Sequence, residues 1–377
     1  MHRSSTLLLM MLTACGPVEP YAVLKAQGVH RYVGMAKIKE DVVQGIDRTV
    51  TFDRATGPAC LRGADYRVST RETGSEELMI FLAGGGACWK DRCTAIEEAN
   101  SGIYPMGVLH NGSETNPFAA WNLLYLPYCD GSLFAGDIDI DDDGDGRTDR
   151  HHRGLRNLTA ALDVGKDTFP APSKILLAGS SGGGFGTVIA AIAVRLTWPD
   201  VPMVIMNDSG IGVAKEDDKG FIRRLLEEWN GMSLIPDGRE DLLANGHLSE
   251  FIKWQLDEDP QLRVGAFTFA EDSVVSEVFL EIDPQQFCEV ASREMAAIHR
   301  AYPERYRYYI APGNAHTVLY SETGIGVTGS IFGEDSASAR GVNLGGYDST
   351  VVQGQSISEW MTALVSGHDA WVNRPTR

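Results

Sequence analysis

The chain has 377 residues, 43% hydrophobic and 22% charged, enough apolar material for one large α/β domain or two smaller ones. Its 51 acidic and 33 basic residues leave a formal net charge of −18 at pH 7. A field of that sign repels nucleic acid and anionic lipid, and it disfavours polyanionic substrates unless a local basic patch compensates.

The N-terminus, MHRSSTLLLMMLTACG, has a short basic start and an apolar run from Leu7 to Leu12 that is too short to span a bilayer. Residues 1–14 are expected to be a secretory leader. Its end, Leu12-Thr13-Ala14-Cys15-Gly16, resembles the lipobox of bacterial lipoproteins, which predicts an extracytoplasmic protein held to the membrane only through a lipid on Cys15. Gly16 after that cysteine resembles the signal for sorting to an outer membrane or cell surface. Export permits disulfides, and five cysteines remain after Cys15. Cys88 and Cys93 are close enough to close a small loop, Cys60 and Cys129 are the candidate second bridge, and Cys288 is left over and expected to be buried and inert.

Residues 15–45 read as a tether followed by a first packed segment, and 46–377 as a single catalytic domain. The stretch RTVTFDRATGPACLRGADYRVST alternates like a β-hairpin around Thr56-Gly57-Pro58. Six apolar strand-like runs follow: ELMIFLAGGG, NLLYLPYCDG, KILLAGSS, VPMVIMNDSG, VGAFTFAED and RYYIAPGN. Helical patterns separate several of them, among these 184–196 and 284–302. Near-continuous apolar strands are buried on both faces, which predicts a doubly wound, mostly parallel sheet with helices on both faces. Functional residues in such folds collect at the C-terminal ends of the strands.

Around Ser181 the pattern Gly179-Ser180-Ser181-Gly182-Gly183 follows an apolar strand and precedes a helix-compatible segment. This is the G-x-S-x-G nucleophile elbow in its required setting, where the neighbours two residues away must be small for the turn to close. Ser181 is framed by Gly179 and Gly183; the alternative centre, Ser180, by Ala178 and Gly182. A P-loop is excluded by the lack of Gly-Lys-Ser/Thr, and the dinucleotide fingerprint fits only loosely. The glycines in FLAGGGACW make Gly85 and Gly86, with Gly182, candidate oxyanion donors. Four histidines follow the elbow. His316 sits on a turn after a strand; His299 is mid-helix, and His247 and His368 lack a preceding strand, so His316 is the candidate base. Asp208 and Asp272 both follow apolar strands, and the pattern does not separate them as the acid that orients the imidazole.

The elbow AGSSGGG, the loop GGGACW with Cys93, PYCDGSLFAGD, HHRGLRN, NDSG, EDS and GNAH occur in an order that resembles the pectin acetylesterase/Notum family of serine esterases, over roughly residues 49–320. The resemblance implies an α/β-hydrolase-like serine esterase with Ser181 as nucleophile, Asp272 as acid and His316 as base. It also implies bridges Cys88–Cys93 and Cys60–Cys129, and a structural role for Asp208. Family members usually carry Trp just before the loop cysteine. Here Ala87 stands there and Trp89 follows, which leaves the shape of the acyl pocket open.

The insert at 137–149 departs from the family. Asp141, Asp143, Asp145, Gly146 and Asp149 fit the start of a calcium loop, although position 12 is His152 rather than Glu. A structural Ca2+ is therefore expected there, with no cofactor for the chemistry, and His151, His152 and Arg153 read as surface or cap residues. Together these features predict a carboxylesterase acting on short O-acyl groups of a carbohydrate or small ester. The rivals are an amidase or peptidase with the same residues, and a surface-anchored binding protein without turnover.

Overall fold

The computed structural model describes residues 19–327 and 342–376. The leader, Cys15 and part of the Gly/Ser-rich stretch after 320 lie outside them.

Nine strands form the central sheet: β1 (Ile38–Gln44), β2 (Asp47–Phe52), β3 (Arg67–Arg71), β4 (Glu77–Leu82), β5 (Asn122–Leu126), β6 (Lys174–Ser180), β7 (Met203–Asp208), β8 (Arg263–Phe269) and β9 (Tyr306–Ala311). Their spatial order is β1-β2-β3-β5-β4-β6-β7-β8-β9. From β5 to β9 all neighbours are parallel, while β1, β2 and β3 join antiparallel at one edge. The apolar runs in β4 to β8 are buried almost throughout, as strands covered on both faces require. The mostly parallel, α/β-hydrolase-like sheet expected from the sequence is the sheet observed.

The covering helices include α1 (Gly154–Thr168), α2 (Gly182–Thr197), α3 (Phe221–Glu228), α4 (Ser249–Glu258), α5 (Pro284–Ala301) and α6 (Ile357–Ser366). Helix α5 starts where Asp283 accepts from the amides of Gln285 and Gln286, with Pro284 at the first helical position. It ends at Tyr302, because Pro303 disfavours helical backbone in the residue before it. A capping box between Ser356 and Glu359 opens α6, and Gly367 at φ 68° closes it. Inside the fold, Arg195 of α2 pairs with Asp259 at 2.7 Å, each side chain 2% exposed. The Arg195 guanidinium also donates to the Val201 carbonyl, which pins the C-terminal end of α2.

Three local readings of the sequence need revision. β2 and β3 do pair, but their connection is a long excursion rather than a tight turn at Thr56-Gly57-Pro58. The excursion exists because Cys60 is bonded to Cys129 and because Asn157 of α1 grips both the amide and carbonyl of Ala59 at 2.9 Å. In the segment before residue 45, where a packed stretch was expected to follow a tether, Tyr21 and Leu24 are fully buried, and the Tyr21 ring lies 5.8 Å from that of Trp254. Cys288 is a free thiol but only half-buried on α5. His152 is not a surface residue; it is fully buried, its Nδ1–H donating to the Asp130 carbonyl at 2.9 Å.

Candidate active site

Strand β6 runs into α2 through one residue, Ser181, held at φ 57°, ψ −122°. A non-glycine residue adopts that backbone only when its surroundings impose it. The surroundings are glycines that have no room for a side chain. A Cβ on Gly179 would lie 2.2 Å from the Gly183 carbonyl oxygen, and one on Gly183 would lie 2.0 Å from the Leu82 oxygen. The pair framing Ser181 is therefore the pair the turn needs. Ser180 is fully buried instead, and its hydroxyl donates to Asp208 at 2.7 Å.

His316 follows β9 and Asp272 follows β8. The imidazole Nδ1–H faces both carboxylate oxygens of Asp272 at 2.9 Å, with both residues essentially buried. Asp272 is itself fixed by the amides of Val274 and Val275, at 3.1 and 3.0 Å. Asp208 does not pair with the imidazole. Its carboxylate takes the Ser180 hydroxyl and the amides of Val318 and Leu319, while its carbonyl accepts from the Ser181 amide at 2.8 Å. The other histidines are engaged elsewhere: His247 Nδ1 accepts from the Ala214 amide, His299 Nδ1 lies 2.9 Å from the Tyr306 carbonyl, and His368 Nδ1 accepts from the Ala370 amide.

The glycine loop after β4 lies directly on the elbow: a Cβ on Gly84 would come 2.8 Å from that of Ser181. The Gly84 amide is spent on the Tyr320 hydroxyl at 2.9 Å, a residue that pattern reading missed for lack of a periodic or motif signal. Gly86, at φ 77°, and Gly182 flank Ser181 at the mouth of a small chamber; Gly85 sits one step back, its carbonyl accepting from Ile96. The bridge Cys88–Cys93 closes the hairpin that follows this loop, and Cys60–Cys129 holds the neighbouring segment, as the sequence led one to expect.

Two spaces meet at Ser181. One is an apolar chamber of about 40 Å³ walled by Trp89, Leu133, Phe185, Val275 and Phe279. Trp89, the residue that departs from the family pattern, meets Phe221 and Phe279 edge-on. Leu133, in the DGSLFAGD stretch, is held at φ 54° with its amide on the Tyr128 hydroxyl. The other space is a cleft of about 260 Å³ that Ser181 and His316 both border. Val342 borders the chamber and Leu344 the cleft, so the chain after 341 does reach the site.

The acidic insert folds as a loop between the paired strands Ile138–Ile140 and Arg150–His152. Asp141, Asp143 and Asp149 each bring a carboxylate oxygen within 4.8 Å of the others'. Asp145 is not in that group; its carboxylate accepts from the Arg147 amide.

A mostly parallel sheet that presents a strained serine at a strand–helix turn, with a buried His–Asp couple on later strand ends, is the arrangement of the α/β-hydrolase class. The pectinacetylesterase family model matches residues 43–225 of the chain. Pectin acetylesterase 11 of Arabidopsis thaliana is 28% identical over 187 residues, which are 44% of this chain and 46% of that protein. The chain thus spans less than half the length of this curated relative. The family match contains the elbow, the glycine loop and both disulfides but ends before Asp272 and His316.

Burial pushes the Asp208 carboxyl up to about 6 and that of Asp130, behind the loop, up to about 7, from an ordinary 3.8. A carboxyl whose folded value is raised stabilises the fold fully below its unfolded value, and that contribution is lost as pH rises through the folded value. His152 opposes this at lower pH: burial depresses it to about 4 from 6.5, so its contribution is lost as pH falls across that interval. Asp130→Asn should therefore gain thermal stability relative to the unaltered protein by several degrees between pH 5 and pH 8. Parallel melting curves with a pH-independent gap would contradict this.

Proposed function

We propose that the protein is a serine carboxylesterase that removes short acyl groups, acetyl foremost, from an O-acylated carbohydrate or small ester. The observation that carries this reading is the His316–Asp272 couple, 2.9 Å apart, beside a positive-φ serine that borders the same cleft as the imidazole. Ser181 Oγ attacks the ester carbonyl while His316 takes its proton, and Asp272 holds the ring orientation and the positive charge that forms. The amides of Gly85, Gly86 and Gly182 receive the developing oxyanion. Collapse of the tetrahedral adduct sends the proton from His316 to the leaving alcohol oxygen. Water, deprotonated by the same imidazole, then releases the acid and restores the serine.

The size of the apolar chamber supports a short acyl group. Its volume of about 40 Å³ is a few water-sized spheres, room for a short acyl chain but not for a long one. Hydrolysis of p-nitrophenyl esters should accordingly peak at acetate and fall toward palmitate. Ser181→Ala should lose at least about 10³-fold in kcat, and Ser180→Ala should stay within about tenfold of the unaltered enzyme. Activity peaking at palmitate would overturn the acyl assignment, and an active Ser181→Ala variant would overturn the nucleophile.

We further propose that the protein works outside the cytoplasm, tethered by a lipid on Cys15. The two disulfides are compatible with an oxidising compartment, and no described helix is long and apolar enough to cross a membrane. For the acidic loop the reading is a structural calcium site, supported by the convergence of Asp141, Asp143 and Asp149. Addition of EDTA should lower the melting temperature and excess Ca2+ restore it, with the response abolished in Asp143→Asn. A melting temperature indifferent to both would remove calcium from the description.

A further inference from the structure

The two spaces at Ser181 have distinct tasks once the reaction above is accepted. The imidazole that returns the proton must face the leaving oxygen, so the alcohol half of the ester occupies the cleft bordered by His316. The acyl half then enters the apolar chamber. We infer that the cleft is built for an uncharged O-acetylated saccharide rather than for the acidic polysaccharide that gives the family its name. This inference rests on the esterase reading of the same site and adds to it the class of alcohol.

Among the described residues that border the cleft, none is Lys, Arg, Asp or Glu. Apart from the His316 imidazole, its wall is made of uncharged side chains and backbone. Tyr104 is 53% exposed and offers a ring face of the kind sugars pack against. Asn100 donates to the Tyr125 hydroxyl at 3.1 Å, leaving amide and phenol atoms at the cleft. A polyuronate carries a carboxylate on each acidic sugar, and a protein that selects such a chain pairs those carboxylates with Arg or Lys. Here a neighbouring carboxylate would be partly desolvated with no described Lys or Arg on the cleft wall to meet it.

The far side of the site repeats the pattern. Beyond Trp89 lies an open groove of about 850 Å³ that does contain cations, but five carboxylates outnumber its four basic side chains. Three of those basic groups are already committed: Arg92 and Lys215 face Glu281, and Arg224 pairs with Asp218. The formal charge of −18 adds a long-range field that opposes a polyanion's approach. A neutral glycan meets neither penalty.

The test compares acetate release from acetylated glucomannan and from O-acetylated polygalacturonate of matched acetyl content, alongside p-nitrophenyl acetate. The expected result is a kcat/KM at least about tenfold higher on the neutral polymer. The gap should narrow as salt rises from about 10 mM to about 0.5 M, because screening removes the repulsion. Tyr104→Arg should shift the ratio toward polygalacturonate, chiefly through KM. Equal or faster, salt-insensitive cleavage of polygalacturonate would overturn the inference, as would no release from glucomannan. In both cases intact turnover of p-nitrophenyl acetate would leave the esterase reading standing. Loss of that turnover as well would remove the esterase reading, and the inference with it.

Discussion

The buried carboxylate of Asp208 ties the two halves of the site together. It accepts the Ser180 hydroxyl from the end of β6 and the Val318 and Leu319 amides from the loop after β9, while its own carbonyl fixes the Ser181 amide. The next hydroxyl, Ser209, accepts from the Thr317 amide. Strands β6 and β9 are separated in the sheet by β7 and β8, so the end of β7 is where serine and imidazole are brought into one frame. Desolvation dominates the carboxyl's environment despite all these donors, which is why its pKa rises to about 6. An apolar side chain there would strand three buried donors at once, each costing about 1–3 kcal/mol.

A second constraint is steric and works through glycines. Gly84, Gly179 and Gly183 let three stretches of main chain approach to distances at which no Cβ fits, and this presses the glycine loop onto the elbow. The loop is then tied sideways. The Cys88 amide donates to the Gly131 carbonyl at 2.8 Å, and a Cβ on Gly131 would lie 2.7 Å from that of Cys88. PYCDGSLFAGD is thus a buttress: it carries Cys129 of the longer disulfide, backs the glycine loop, and turns Leu133 at positive φ into the chamber wall.

Much of this was legible in the sequence, for reasons that can be named. Strands buried on both faces are written as unbroken apolar runs, and each ended in Gly, Asp, Asn or Ser where the chain must turn. The elbow was visible because its sterics demand glycine at two fixed offsets, and His316 because it stood on a turn after the last such strand. Asp208 and Asp272 were indistinguishable by pattern, since both are aspartates after apolar strands; the family resemblance pointed to Asp272, and it is the Asp272 carboxylate that lies 2.9 Å from His316 Nδ1. Strand β1 was hidden because all seven of its residues are exposed and it carries Lys39, Glu40 and Asp41, which suit a sheet edge but erase alternation. Val275 and Phe279 went unassigned because they lie in a π-helical turn, 274–280, whose period matches neither a helix nor a strand template. The charge of a cleft depends on which distant residues share it, and no local window carries that information.

The central claim is that Ser181, activated by His316, is the nucleophile. Its most direct measurement is reaction of the folded protein with a fluorophosphonate, the adduct located by fragmentation of the peptide that contains Ser180 and Ser181. An adduct on Ser181 that forms at least about tenfold more slowly in His316→Ala is the expected result. An adduct on Ser180, or none on the folded protein, would contradict it.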